Sequence, residues 1–392
     1  MYRLVQRRGI IGLFCLLFVA SSVVPGWAQK DNRFEVSKNL DIFNSLLKEV
    51  EMFYVDSVDV DKTVQRGIEA MLAGLDPYTE YYPEQKTEEL SLMTTGEYGG
   101  IGSLIRQRNN EGGVMIAEPT EGMPADLAGL KPGDLILAID TIDVSKATNS
   151  RVSELLKGVP NTKMVLTIQR PGEKKPRKFE ITRKQITTPQ VTYYGVKNDS
   201  IGYIYLKAFT IKSAQEVKEA FLDLKKNHNI KSLVLDLRGN GGGVLEGAVQ
   251  IVGMFVPKGS EVLSTKGKIK QWDRTYRTST EPLDTVMPLA ILINGGTASA
   301  AEIVSGSLQD MDRAVLVGQR SFGKGLVQAP RDLPYNGKVK ITMSKYYIPS
   351  GRCIQQIDYS HRKEDGSVAA IPDSLTSVFY TSKKRPVRDG GG

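Results

Sequence analysis

The chain has 392 residues, 40% of them hydrophobic and 24% charged, with a formal net charge of +8. That length points to two or three domains. The basic excess is scattered, with no dense run of Lys and Arg interleaved with aromatics, which argues against nucleic acid as a partner. Two cysteines (Cys15 and Cys353) and two histidines (His228 and His361) are all the chain holds of those types. They lack metal-ligand spacing, so no metal or other cofactor is expected.

The first 28 residues read as a secretory signal: Arg3, Arg7 and Arg8, an apolar stretch from Ile10 to Val24, then Gly26-Trp27-Ala28 with cleavage expected after Ala28. The apolar stretch is about 15 residues, short of the ~20 of a spanning helix. Left uncleaved, it would tie the chain to the membrane. Removing three arginines and no acids leaves +8 − 3 = +5 on the exported chain. An exported, periplasmic or cell-envelope protein of bacterial type follows, with Cys353 unable to form an internal disulfide.

Residues 29–95 read as a helical region. The spacing of Leu40, Phe43, Leu47, Val50 and Tyr54 predicts an amphipathic helix over 37–56, with Ser37 as its N-cap. A second helix is expected over 60–74, then the turn LDPYTEYY, then a short helix from Pro83. A cap or a dimerisation arm, pairing two copies through these helices, is the plain reading of this region. From 96 to 185 the pattern changes to short strands broken by Gly and Pro, with two short helices at GMPADLAGL and NSRVSELLKG. Lys174-Lys175-Pro176-Arg177-Lys178 reads as a solvated hairpin. AGLKPGDLILAIDTI resembles the PDZ domain signature, and Tyr98-Gly99-Gly100-Ile101-Gly102 matches the loop that holds a peptide C-terminus in such domains. The chemistry agrees: glycines let successive N–H groups converge on a carboxylate while the adjoining strand edge accepts a peptide strand. Taken alone, this loop is equally an ordinary glycine turn.

Over 186–356 apolar strands alternate with helices, the pattern of a largely parallel sheet covered on both faces. Residues 357–392 read as polar and irregular. The expected architecture is multi-domain α/β: a helical region, a β-rich module with two helices, and an α/β core.

The chemistry concentrates at Ser299, in GGTASAAEI, and at Lys324, twenty-five positions later in SFGKGLVQ. A serine needs a base to attack a carbonyl, and with so few histidines a lysine of depressed pKa is the available one. Ser299 is expected in the first turn of a helix, where the Ala300 N–H can meet a developing oxyanion. A second donor is expected from Gly239-Asn240-Gly241-Gly242-Gly243. Gln328 carries an amide oxygen able to accept from the lysine. Each residue has a plain structural alternative: a small residue for helix packing, a solvated lysine, a surface glutamine. Gly318 to Lys324 fits most of a phosphate loop, but Gly325 stands where Ser or Thr should hold magnesium, and Pro330 and Pro334 interrupt the helix that should follow.

In order along the chain, LDPYTEYY, the PDZ segment, LVLDLRGNGGG, NGGTASAAEI, GQRSFGKGLVQ and YYIPSGRCIQ resemble the C-terminal processing (tail-specific) serine proteases that carry a PDZ domain. The resemblance covers about residues 37–356. It implies a serine endopeptidase acting near the C-termini of exported proteins. Ser299 would be the nucleophile, Lys324 the general base, Gln328 its orienting partner, and the Ala300 and Gly242 amides the oxyanion hole. The PDZ domain would bind the substrate tail. Gly241, Thr141, Thr297 and Ala301 depart from the family's usual residues without removing a catalytic group. The Gly390-Gly391-Gly392 ending resembles an internal segment of longer members. The rival reading is a non-catalytic PDZ scaffold, or a ligand carrier on the same core.

Overall fold

The computed structural model describes residues 33–108 and 112–392; the signal-like segment, Cys15 included, lies outside them. Two units are distinct, one up to Gly67 and one from Ile68 onward. In the first, helix α1 (Arg33–Phe53) buries none of its residues and leaves Phe34, Leu40, Phe43 and Leu46 exposed. It already runs at Arg33, so Ser37 lies inside it rather than capping it. Helix α2 (Val60–Ala73) follows after a short turn.

In the second unit, strand β1 (Glu80–Tyr82) follows the LDPYT turn, and a 3-10 turn leads into α3 (Thr87–Thr95), which stops at Gly96 in the left-handed conformation. Strand β2 (Glu97–Gly100) pairs with β9 (Lys184–Thr187), bringing both ends of the glycine-punctuated region together. Between them lie β3 (Ser103–Gln107), β4 (Val114–Pro119), α4 (Pro124–Leu127), β5 (Leu135–Ile139), β6 (Ile142–Asp143), α5 (Asn149–Leu156), β7 (Lys163–Gln169) and β8 (Arg177–Thr182). The sheet order is β3-β4-β5-β7-β8, leaving β3 at an edge. Val114 and Ile116, Ile136 and Ile139 either side of a register shift in β5, and Met164, Leu166 and Ile168 fill its core with Val152 and Leu156 of α5. Asp134 of the Pro132-Gly133-Asp134 turn is fully buried and takes a bidentate pair from Arg170.

The remaining core holds two sheets. In the first, β10 (Val191–Lys197) runs antiparallel to β11 (Ile201–Leu206); β11, β12 (Ser232–Asp236), β15 (Leu289–Ile293) and β16 (Val315–Gly318) are parallel neighbours. Helices α6 (Ser213–Asn227), α7 (Leu245–Gly253) and α8 (Ala300–Asp310) share one buried cluster with Ile204, Leu206, Leu233, Leu235, Leu289 and Ile291. Those residues alternate along their strands, so they form a single face. The expectation of cover on both faces is not met: Tyr203, Tyr205, Val234 and Leu292 on the opposite face are half-buried, and Val315 and Val317 are exposed. Successive same-sense crossovers between adjacent parallel strands put every helix on one side.

The second sheet is antiparallel, in the order β1-β18-β13-β14, with β17 (Leu326–Asp332) also on β18 (Lys338–Tyr347); β13 is Glu261–Gly267 and β14 Arg274–Arg277. Helix α8 is buried nearly throughout, since Ser307 Oγ donates to the Val262 carbonyl of β13 and Gly306 meets Ile348 while Val304 and Leu308 join the helical core. Residues 357–392 are more ordered than expected. Ile357–Asp358 pairs with Ala369–Ala370 and Val378–Tyr380 with Pro386–Arg388, and Ser382 N and Arg385 bond back to Asp310 and Asp312. These strands are too short to print a periodicity in the sequence.

Candidate active site

Ser299 is the N-cap of α8, one residue ahead of the expected first turn, with φ 55° and ψ −115°. A non-glycine residue at positive φ is strained and persists only where its surroundings hold it. Here the hold is explicit. Thr297, fully buried, donates from Oγ1 to the Leu237 carbonyl (2.8 Å) and accepts from Asn294 N; Ala298 N donates to the Asn240 carbonyl (2.9 Å). The serine loop is thus bonded to the glycine loop that ends β12.

Glycine is required at 242. Its φ is 95°, and a Cβ there would stand 2.7 Å from the Ala298 carbonyl oxygen, 2.8 Å from Ser299 Cβ and 2.9 Å from Ala300 N. Gly242 thus lies directly against Ser299 and Ala300. The Gly242 N–H, however, is already donated to Asn240 Oδ1 at 2.9 Å. Asn240, fully buried, uses its amide nitrogen on the Leu206 carbonyl.

The junction of the site is Glu302, which sequence reading passed over. It is 2% exposed, and its carboxylate accepts four hydrogen bonds: Ser299 N (2.7 Å) and Lys324 N (2.9 Å) on Oε2, Ser321 Oγ (2.7 Å) and Gly323 N (2.6 Å) on Oε1. The serine and the lysine loop, remote in sequence, are therefore fixed to one side chain. Burial raises the Glu302 pKa while the four donors oppose that shift. Its signal was available: Glu three residues after a Ser at a helix start is a capping box. Tyr346, buried beneath, donates to the Ser299 carbonyl (3.3 Å), and its own N–H donates to the Gly325 carbonyl (2.9 Å).

Lys324 is largely buried. Burial lowers its pKa to about 8, the positive charge of Lys340 adds to that, and Asp76, Glu80 and Glu302 act in the opposite sense. Its Nζ stands 4.2 Å from the centroid of the Tyr78 ring. Gln328, on β17, donates through Nε2 to Thr342 Oγ1 of β18 (3.0 Å), which also meets Thr79 Oγ1 at 3.3 Å. Thr79 is in turn fixed by Asp76, so the LDPYT turn reaches the glutamine through two hydroxyls. Residues 326–332 form a strand, not the helix a phosphate loop needs. His228 and His361 lie on the surface beside Asp223 and Asp358.

In the second candidate site, Tyr98, Gly99 and Gly100 lie on β2 and Ile101 and Gly102 lead into β3. The carbonyls of Ile101 and Gly102 accept from Ala125 N and Thr120 N, and Gly158 N donates to the Gly99 carbonyl. A small cavity of about 50 Å³ is lined by Tyr98, Ile101, Ile105, Ser153, Leu156 and Lys157, between the loop, the edge strand β3 and helix α5.

Comparison with known proteins gives the family of each region. Residues 200–360 match the model of peptidase family S41, and residues 115–170 match a PDZ domain. The "Carboxy-terminal-processing protease" of Bartonella bacilliformis is 36% identical over 345 residues, covering 87% of this chain and 77% of that protein. The chain belongs to peptidase family S41. It is a serine peptidase of the carboxy-terminal-processing kind, with a PDZ domain. The "Probable CtpA-like serine protease" of Staphylococcus aureus (strain COL) is 33% identical over 320 residues, 81% of this chain and 62% of that protein. The chain thus spans under two thirds of that relative's length. Among solved structures, a photosystem II D1 C-terminal processing protease is similar at 29% identity and a TM-score of 0.44, covering 79% of this chain and 83% of that one.

Proposed function

We propose that this S41 peptidase cleaves exported proteins near their C-termini through Ser299 and Lys324, with Gln328 orienting the lysine. The neutral Lys324 amine takes the proton of Ser299 Oγ as that oxygen attacks the scissile carbonyl. The tetrahedral oxyanion is met by the Ala300 N–H and by a glycine amide. For Gly242 to serve, its bond to Asn240 must open. When the C–N bond breaks, the ammonium returns its proton to the leaving amine. Water then attacks the acyl-enzyme, giving its proton to Lys324, and the acid product leaves as Ser299 Oγ regains a proton from the ammonium. Gln328 Nε2 is engaged by Thr342, which leaves its Oε1 for the lysine.

The observation that carries this reading is the Glu302 carboxylate, which ties the Ser299 backbone and the Lys324 loop together beside a buried amine. The glycine loop 98–102 and the edge of β3 are proposed to bind the substrate tail as an added strand, its carboxylate on the Ile101 and Gly102 amides. Tail binding would also gate the site; if removing residues 96–185 left cleavage and tail selectivity unchanged, gating would be refuted. The basic, apolar N-terminus supports export to the periplasm or cell envelope, and membrane attachment if it is retained. The exposed apolar residues of α1 support pairing of two copies, which the mass in solution tests. Incubation with an unstructured peptide bearing a free apolar C-terminus, beside a Ser299→Ala copy, tests the whole reading: cleavage by the first alone is expected, and cleavage by both would refute it.

A further inference from the structure

The turn Asp76–Thr79 enters the site from the N-terminal end of its unit. Asp76 Oδ1 accepts from Tyr78 N and Thr79 N, both at 2.8 Å, so the turn is rigid and the direction of Tyr78 is fixed. Strand β1 then locks the segment to β18 through Glu80↔Lys340. The Tyr78 ring lies over Lys324 Nζ and meets Tyr359 edge-on, with centroids 6.0 Å apart, planes at 88° and hydroxyls 3.5 Å apart.

We propose that Tyr78 is a positioning residue for the lysine base, its ring forming a lid that keeps water off the Lys324 amine. This rests on the Ser299–Lys324 reading above and assigns a role to a residue outside that pair. Two effects of the ring compete. Its π face attracts the ammonium by roughly 0.5–2 kcal/mol, which favours the charged form. Its cover removes water, and burial can lower a lysine pKa by up to about 3–5 units. A burial effect of that size exceeds the π attraction, so exclusion of water is the dominant effect of the ring. The other groups facing the amine are Lys340 from β18, Asp76 and Glu80 from the turn and β1, and Glu302 from α8. The Lys340 ammonium is itself held by Glu80 and the Tyr82 hydroxyl, which fixes its place behind the site.

The test is kcat/KM against pH for the full chain, using an internally quenched unstructured peptide with a free apolar C-terminus. The wild type should gain activity up to a limb near pH 8. Tyr78→Ala admits water, and its limb should move up by about one unit or more, costing roughly tenfold at pH 7.5 and little at pH 10. Tyr78→Phe and Tyr78→Leu keep an apolar cover, and their limbs should stay at the wild-type position or, for Leu, fall slightly as the π attraction is lost. An unmoved or lowered limb in the Ala variant, or an equal loss at every pH, overturns the proposal. If the Ala variant melts too low to assay, a raised limb in the Leu variant overturns it instead. Failure of the dyad reading looks different: the wild type would then show no Ser299-dependent cleavage at any pH.

Discussion

Glu302 carries four hydrogen bonds on one buried carboxylate, and two of the donors belong to the backbones of Ser299 and Lys324. Glu302→Gln turns one acceptor oxygen into a donor facing N–H groups, leaving buried donors unpaired at about 1–3 kcal/mol each. A shift of the lysine loop by an ångström suffices to cost about 100-fold in rate. The variant should therefore fold with a lowered melting temperature and lose activity by that factor, read by calorimetry and peptide cleavage. Lys324 gives a second expectation with the opposite sign for stability. Its folded pKa of about 8 lies below the ordinary 10.5, so between those values the unfolded chain binds more protons. Wild-type stability accordingly rises with pH across that window, and below pH 8 the burial penalty is fully in force. Lys324→Met should stabilise the protein at pH 7, by on the order of 2–3 kcal/mol, while abolishing cleavage. The gain should vanish above about pH 10.5.

The glycine loop after β12 and the cap of α8 act as one piece, because Ala298 N, Asn240 and Thr297 bond across them. Gly242→Ala would set a methyl 2.7–2.9 Å from three atoms of the serine loop. It should remove activity altogether while leaving the PDZ region folded, which amide exchange would report. Much of this was legible in the sequence. PLAILI and LVLDL are too apolar for anything but buried strands, and a run of small residues after one of them marks a tight strand-to-helix turn. The antiparallel sheet was not legible. Strand β18 carries half-buried residues along most of its length, so neither face prints an alternation. Its partners come from residues 80–82, 261–267 and 326–332, and such long-range pairing leaves no local signal. Thr342 and Tyr78 were missed for that reason. Their contacts with Gln328 and Lys324 exist only once β1 and β18 are paired.

Over the whole molecule, the β2–β9 pair ties the two ends of the PDZ region together, and that region and the peptidase core lie in one unit. Gly99→Ala would push a methyl to 1.8 Å from the Gly158 carbonyl oxygen and reshape the loop proposed to bind the tail. For a peptide with a free carboxylate KM should rise several-fold; for an amidated peptide, which offers the loop no charge, the effect should be much smaller. The proposed mechanism has a simpler requirement: a serine made reactive by a lysine whose pKa is lowered to about 8. A fluorophosphonate, with its adduct mapped by mass spectrometry and its rate followed from pH 6 to 10, tests it most directly. The expected result is an adduct on Ser299 alone, forming about tenfold faster per pH unit up to about 8 and then levelling, and lost in Lys324→Ala. An adduct on another residue, or Ser299 labelled as fast without Lys324, would contradict it.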